Sequence, residues 1–152
     1  MASPSHISPI AQEEKLRILF VEDNPDDLEL ILLELQKANL EVAADIVMRR
    51  DEFIARISAV PYDAVIADYK LDGWTGMDAL ALMREQGRRL PFILVTGVLG
   101  EDFAVDCIKQ GASDYVLKDR LARLPVAIRR SIKESCLQEQ QEQANGKLPL
   151  DP

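Results

Sequence analysis

Five polar side chains follow or close short apolar runs in this chain, and together they have the makings of a reactive site. Glu22 and Asp23 follow LRILFV (16–21), Asp68 closes DAVIAD (63–68), Thr96 closes PFILVT (91–96) and Lys118 closes DYVLK (114–118). Three carboxylates brought close repel one another strongly unless a cation lies between them. An all-oxygen set of that kind suits Mg2+, which binds through a few carboxylates and keeps several waters. A carboxylate kept ionised beside such a cation can attack phosphorus, while the cation and a lysine neutralise the phosphoryl oxygens. A threonine hydroxyl can hydrogen-bond the transferred group. Each residue taken singly also has an ordinary explanation. Asp68 suits a turn or cap, Thr96 before Gly97 suits a turn, Lys118 a solvated charge, and Glu22 with Asp23 the start of a helix. Their weight lies in their recurrence at the ends of four apolar runs.

The elements that would position them alternate along the chain. After LRILFV, Asn24 caps and Pro25 opens a helix whose Leu28, Ile31, Leu32 and Leu35 have helical spacing. EVAADIV (41–47) reads as a strand and MRRDEFIARISAV (48–60) as a helix stopped by Pro61. Thr75 with Asp78 three residues on forms a capping box, opening a helix to about Gln86 with Gly87 as its stop. EDFAVDCIKQ (101–110) reads as a helix closed by Gly111, and a last helix follows the fifth strand. These are five β–α units. Strands apolar throughout imply a parallel sheet covered by helices on both faces, with right-handed crossovers. In such sheets the site lies beyond the carboxyl ends of the strands, where strand order reverses. The strand-end residues are therefore in the right place to meet.

Composition narrows the function classes. The chain has 152 residues, 47% of them hydrophobic, enough for one packed domain. The net charge of -8 disfavours nucleic acid and anionic membrane surfaces but not a divalent cation. Cys107 and Cys136 form no metal-ligand pattern with the single histidine, His6, and read as free thiols in a reducing, cytoplasmic setting. No apolar run approaches the ~20 residues of a membrane span, and the first residues do not have the form of a signal peptide. Residues 1–14 read as a flexible tail, 15–137 as the folded domain, and 138–152 as a C-terminal tail, partly helical and then disordered.

The stretches LFVEDNPDD (19–27), DAVIADYKLDGWTGMDAL (63–80), FILVTG (92–97) and GASDYVLK (111–118) resemble the receiver domain of bacterial two-component response regulators. The resemblance covers about residues 16–135. It implies a flavodoxin-like α/β fold, a doubly wound (βα)5 with a five-stranded parallel sheet in the order 2-1-3-4-5. It also implies roles. Glu22 and Asp23 match the acidic pair that holds Mg2+, and Asp68 matches the phosphoacceptor. Lys70 sits where a backbone carbonyl ligates the metal. Thr96 matches the switch hydroxyl, Lys118 the lysine that pairs with the phosphoryl group, and Tyr115 the aromatic switch position. The implied partners are a sensor histidine kinase or phosphotransfer protein and a downstream protein target, without direct nucleic-acid or membrane contact. A homodimer through the face of helix four, strand five and helix five is a further expectation.

Three departures from the family pattern stand out. Asp72 replaces a common proline four residues after Asp68, Asp119 replaces a common cis-proline after Lys118, and Pro125 falls where the last helix should be under way. Regular helix is therefore expected to begin near Pro125, after a distinct turn over 119–124. Lys70 and Val98 flank the expected phosphoryl site and are candidates for tuning its hydrolysis. Two rival functions remain open at this point. One is a Mg-dependent phosphohydrolase with an aspartyl nucleophile, which needs an acid where Lys70 stands. The other is an interaction module that works without phosphorylation.

Overall fold

The computed structural model describes residues 15–97 and 101–147. The expected N-terminal tail, Val98 and residues 148–152 lie outside the described residues. Five strands, β1 (Leu16–Val21), β2 (Val42–Val47), β3 (Ala64–Asp68), β4 (Phe92–Thr96) and β5 (Asp114–Leu117), form one parallel sheet in the order β2-β1-β3-β4-β5. Between and after them come α1 (Pro25–Lys37), α2 (Arg50–Ala59), α3 (Gly76–Glu85), α4 (Glu101–Lys109) and α5 (Leu124–Lys147). This is the doubly wound, flavodoxin-like order that the resemblance implied.

Alternation along each central strand divides the core in two. Leu19, Val21, Val65, Ala67, Phe92 and Leu94 face Phe53 and Ile57 of α2, Leu80 and Met83 of α3, and Cys107 of α4. Ile18, Phe20, Ile66, Ile93 and Val95 face Ile31 and Leu35 of α1 and Leu124 and Ile128 of α5. All five residues of β3 and of β4 are buried, which is why these strands read as unbroken apolar runs. Both cysteines are free, Cys107 buried and Cys136 exposed.

Local signals account for the starts of α1, α3 and α5. Asn24 accepts from the Asp26 and Asp27 amides with Pro25 in the first turn, and Thr75 and Asp78 exchange both capping-box bonds. Residues Lys118–Arg123 form a 3-10 helix and α5 begins at Leu124, so Pro125 occupies the first turn, where its missing N–H costs nothing. No peptide bond among the described residues is cis, so the Lys118–Asp119 bond is trans. Helix α5 continues past residue 137 to Lys147, and its residues 138–144 are exposed. Among the described residues no helix is long and apolar enough to cross a membrane.

Candidate functional site at the strand ends

Sheet register brings the strand-end residues to one level. Val21 pairs with Ala67, so Glu22 and Asp68 follow side by side at the point where the chain winds first to β2 and then back to β3. Asp68 pairs with Val95 and Thr96 with Leu117, which carries Thr96 and Lys118 to the same edge. Glu22, Asp68 and Thr96 are all buried, at 4%, 6% and 4% exposure. Two acids at an exposed edge would be unremarkable; acids this deep must be compensated.

The Lys118 ammonium supplies part of that compensation. Its Nζ lies 3.0 Å from Asp68 Oδ2, 2.5 Å from Asp27 Oδ2 and 3.8 Å from Glu22 Oε1. Burial works to lower the Lys118 pKa, but the hydrogen bonds to Asp27 and Asp68 and the charges of Glu22 and Asp68 outweigh it and raise the value above the ordinary lysine range. One lysine does not neutralise three acids. Glu22 is pushed up to about 8, first by burial and then by the repulsion of Asp68. Its Oε2 accepts the Asn24 amide at 3.2 Å, whereas the buried Oε1 has no hydrogen-bond partner.

Glu22, Asp27 and Asp68 each offer an oxygen within 4.8 Å of the others. Asp23 is not part of that group. Its Oδ2 instead accepts the Asp72 backbone N–H at 2.9 Å. Asp27 was not singled out in the sequence, because it sits inside a helix rather than at a strand end. The available signal was Asn24 as cap with Pro25 in the first turn, which puts Asp27 in the turn facing back toward the sheet edge. The Lys70 N–H points to Asp68 Oδ1 at 3.4 Å, and Lys70 pairs with Thr75 in an isolated antiparallel bridge. The two bonds of that bridge run from Gly76 N–H to Tyr69 O and from Leu71 N–H to Trp74 O, so the turn does not use the Lys70 carbonyl. Tyr115 lies on β5, partly buried against the core face shared with α3 and α4.

The carboxylate cluster fits a small hard cation. The donors are all oxygens, the site is deep, and the orphaned Glu22 Oε1 is a buried acceptor that a cation would satisfy.

Residues 18–129 match the family of response regulator receiver domains. The chain belongs to that family. This receiver is 32% identical over 142 residues to the transcriptional regulatory protein QseB of Escherichia coli O157:H7, a match spanning 90% of this chain and 62% of QseB. It is also 32% identical over 92 residues to the two-component response regulator PhoP of Pseudomonas aeruginosa, spanning 57% of this chain and 41% of PhoP. The receiver thus spans less than two thirds of the length of either relative. Among solved structures, the receiver domain of the sensor histidine kinase PA1611 from Pseudomonas aeruginosa PAO1 superposes with a TM-score of 0.66 at 28% identity. That match covers 79% of this chain and 99% of the other, which carries a magnesium ion in its active-site cleft. A receiver domain protein from Clostridium thermocellum gives a TM-score of 0.67 at 27% identity, over 80% of this chain and 98% of the other. The fold, the family and the signalling class therefore agree with the motif reading.

Proposed function

We propose that Asp68 accepts a phosphoryl group from a phosphohistidine on a sensor histidine kinase or phosphotransfer protein, and that this modification alters a partner-binding face. The observation that carries the reading is a buried carboxylate, Asp68, held 3.0 Å from the Lys118 ammonium beside a second buried carboxylate with an unsatisfied oxygen. Such a group is costly to maintain for stability alone, and perturbed titratable clusters of this kind concentrate at functional sites.

In this reading Glu22, Asp23, Asp68 and the Lys70 carbonyl hold Mg2+, the ion carried by the PA1611 receiver. When bound, the ion would screen the clustered acids and draw charge from the phosphoryl oxygens. An Asp68 carboxylate oxygen attacks phosphorus, the P–O bond forms as the P–N bond breaks, and the electron pair returns to the donor imidazole. Lys118, already paired to Asp68, exchanges that contact for a phosphoryl oxygen and neutralises it. The Thr96 hydroxyl, one residue beyond the level of Asp68 on the neighbouring strand, bonds another. Its movement frees space for Tyr115, and the change spreads to α4, β5 and α5. Val105 and Ile108 of α4 and Val126 of α5 are exposed apolar residues suited to a protein partner or a second copy of this chain. The net charge of -8 argues against direct nucleic-acid contact by this segment.

The phosphohydrolase reading needs an acid two residues after Asp68, and Lys70 stands there. Incubation with acetyl phosphate and Mg2+ separates the readings. Uptake that saturates at one phosphoryl group per chain supports the receiver reading; sustained turnover of phosphate esters would favour the hydrolase. An interaction module independent of phosphorylation would show neither.

A further inference from the structure

We propose that the backbone amide of Asp72 is a latch: it holds Asp23 out of the carboxylate group and thereby weakens the site's affinity for Mg2+. The inference rests on the reading of Glu22, Asp23 and Asp68 as cation ligands. Asp23 directly follows Glu22 on the β1–α1 turn, yet its Oδ2 accepts the Asp72 N–H at 2.9 Å, and the mutually close carboxylates are Glu22, Asp27 and Asp68. The donor is held in place by its own turn. Gly76 N–H bonds Tyr69 O at 2.8 Å, Leu71 N–H bonds Trp74 O at 3.2 Å, and Gly73 takes a positive φ of 85° that a glycine accepts without strain. The turn is in turn fastened to the rest of the molecule, because the buried Trp74 donates its indole N–H to Met48 O at 3.2 Å and packs on Phe53. A fixed amide aimed at an ionised carboxylate makes a charge-assisted bond.

Joining Glu22 and Asp68 around a cation requires Asp23 to give up this bond. A site competent only when a latch is open binds more weakly by the reciprocal of the open fraction. For one charge-assisted bond open to solvent, the expected penalty is about tenfold. The main chain rather than the Asp72 carboxylate is the active group, so the residue acts as a positioning residue through its N–H.

The test is a double-mutant cycle on the full chain. Mg2+ is titrated calorimetrically, with the emission of Trp74, the single tryptophan, as a second readout. Asp72→Ala removes the carboxylate and keeps the amide, whereas Asp72→Pro removes both. Each is made alone and together with Asp23→Ala. The expected result is that Asp72→Pro binds Mg2+ about tenfold more tightly than Asp72→Ala, and that the difference vanishes when Asp23 is alanine. Equal affinities, or a difference that survives Asp23→Ala, overturn the latch. If Asp72→Pro does not fold, hydrogen exchange of the wild-type Asp72 amide decides: faster exchange on adding Mg2+ supports the latch, and unchanged exchange overturns it. Absence of Mg2+ binding by the wild type and every variant would overturn the reading of the site itself, which is a different result from a failed latch.

Discussion

Glu22 shows what the site asks of a single side chain. Burial and the neighbouring Asp68 raise its pKa to about 8, from an unfolded value near 4.5. A carboxyl with a raised folded-state pKa stabilises the fold while protonated, so the contribution is complete below about pH 4.5 and is lost as pH rises through about 8. In EDTA, stability from urea unfolding is therefore expected to fall over this window, by the order of a few kcal/mol. Glu22→Gln is expected to flatten the slope; an unchanged slope would rule out Glu22 as its source. Lys118 is the matching test from the cationic side. Lys118→Ala leaves three close acids without their ammonium, and the rate of phosphoryl uptake from acetyl phosphate is expected to drop about 100-fold. Glu22, Asp68, Thr96 and Lys118 were legible in the sequence because a parallel strand delivers its last residue and the one after it to a known edge. Asp27 was not, because its position depends on how the first turn of α1 is capped. The Asp23–Asp72 bond was not legible either, since it joins a side chain to an amide 49 residues away.

At the scale of elements, the β3–α3 connection fixes where Asp68 sits. A Cβ at Gly76 would lie 2.6 Å from Leu94 Cδ1 and 2.7 Å from the Asp68 carbonyl oxygen. The start of α3 thus rests directly on the backbone of the proposed phosphoacceptor, and only glycine permits the approach. Gly76→Ala is expected to cost about 1–3 kcal/mol in urea unfolding and to slow phosphoryl uptake as Asp68 is displaced. Thr75→Ala, which removes only the cap, is expected to cost about 1 kcal/mol. Strands, helix starts and the break before Pro125 were readable because each has a local cause: an apolar run, a cap, or a missing N–H. The reach of α5 to Lys147 was harder to read, because residues 138–144 are exposed and no periodic apolar face marks where the helix ends.

Over the whole molecule, two apolar layers pack on either side of one sheet, and the exposed residues 138–144 of α5 belong to neither layer. Removing residues 138–152 is expected to change stability by less than about 0.5 kcal/mol, checked by thermal unfolding. A larger loss would mean that the end of α5 belongs to the folded unit. The face of α4, β5 and α5 lies on the far side of Thr96 and Lys118 from Glu22, so a change at Asp68 can reach it through those two residues. The signalling reading depends on Asp68 carrying the phosphoryl group. The most direct measurement is intact-protein and peptide mass spectrometry after treatment with acetyl phosphate and Mg2+. One phosphoryl adduct per chain is expected, labile to hydroxylamine, mapping to the peptide that holds Asp68 and absent in Asp68→Asn. An adduct of equal yield in Asp68→Asn, or one mapping to another residue, would contradict it.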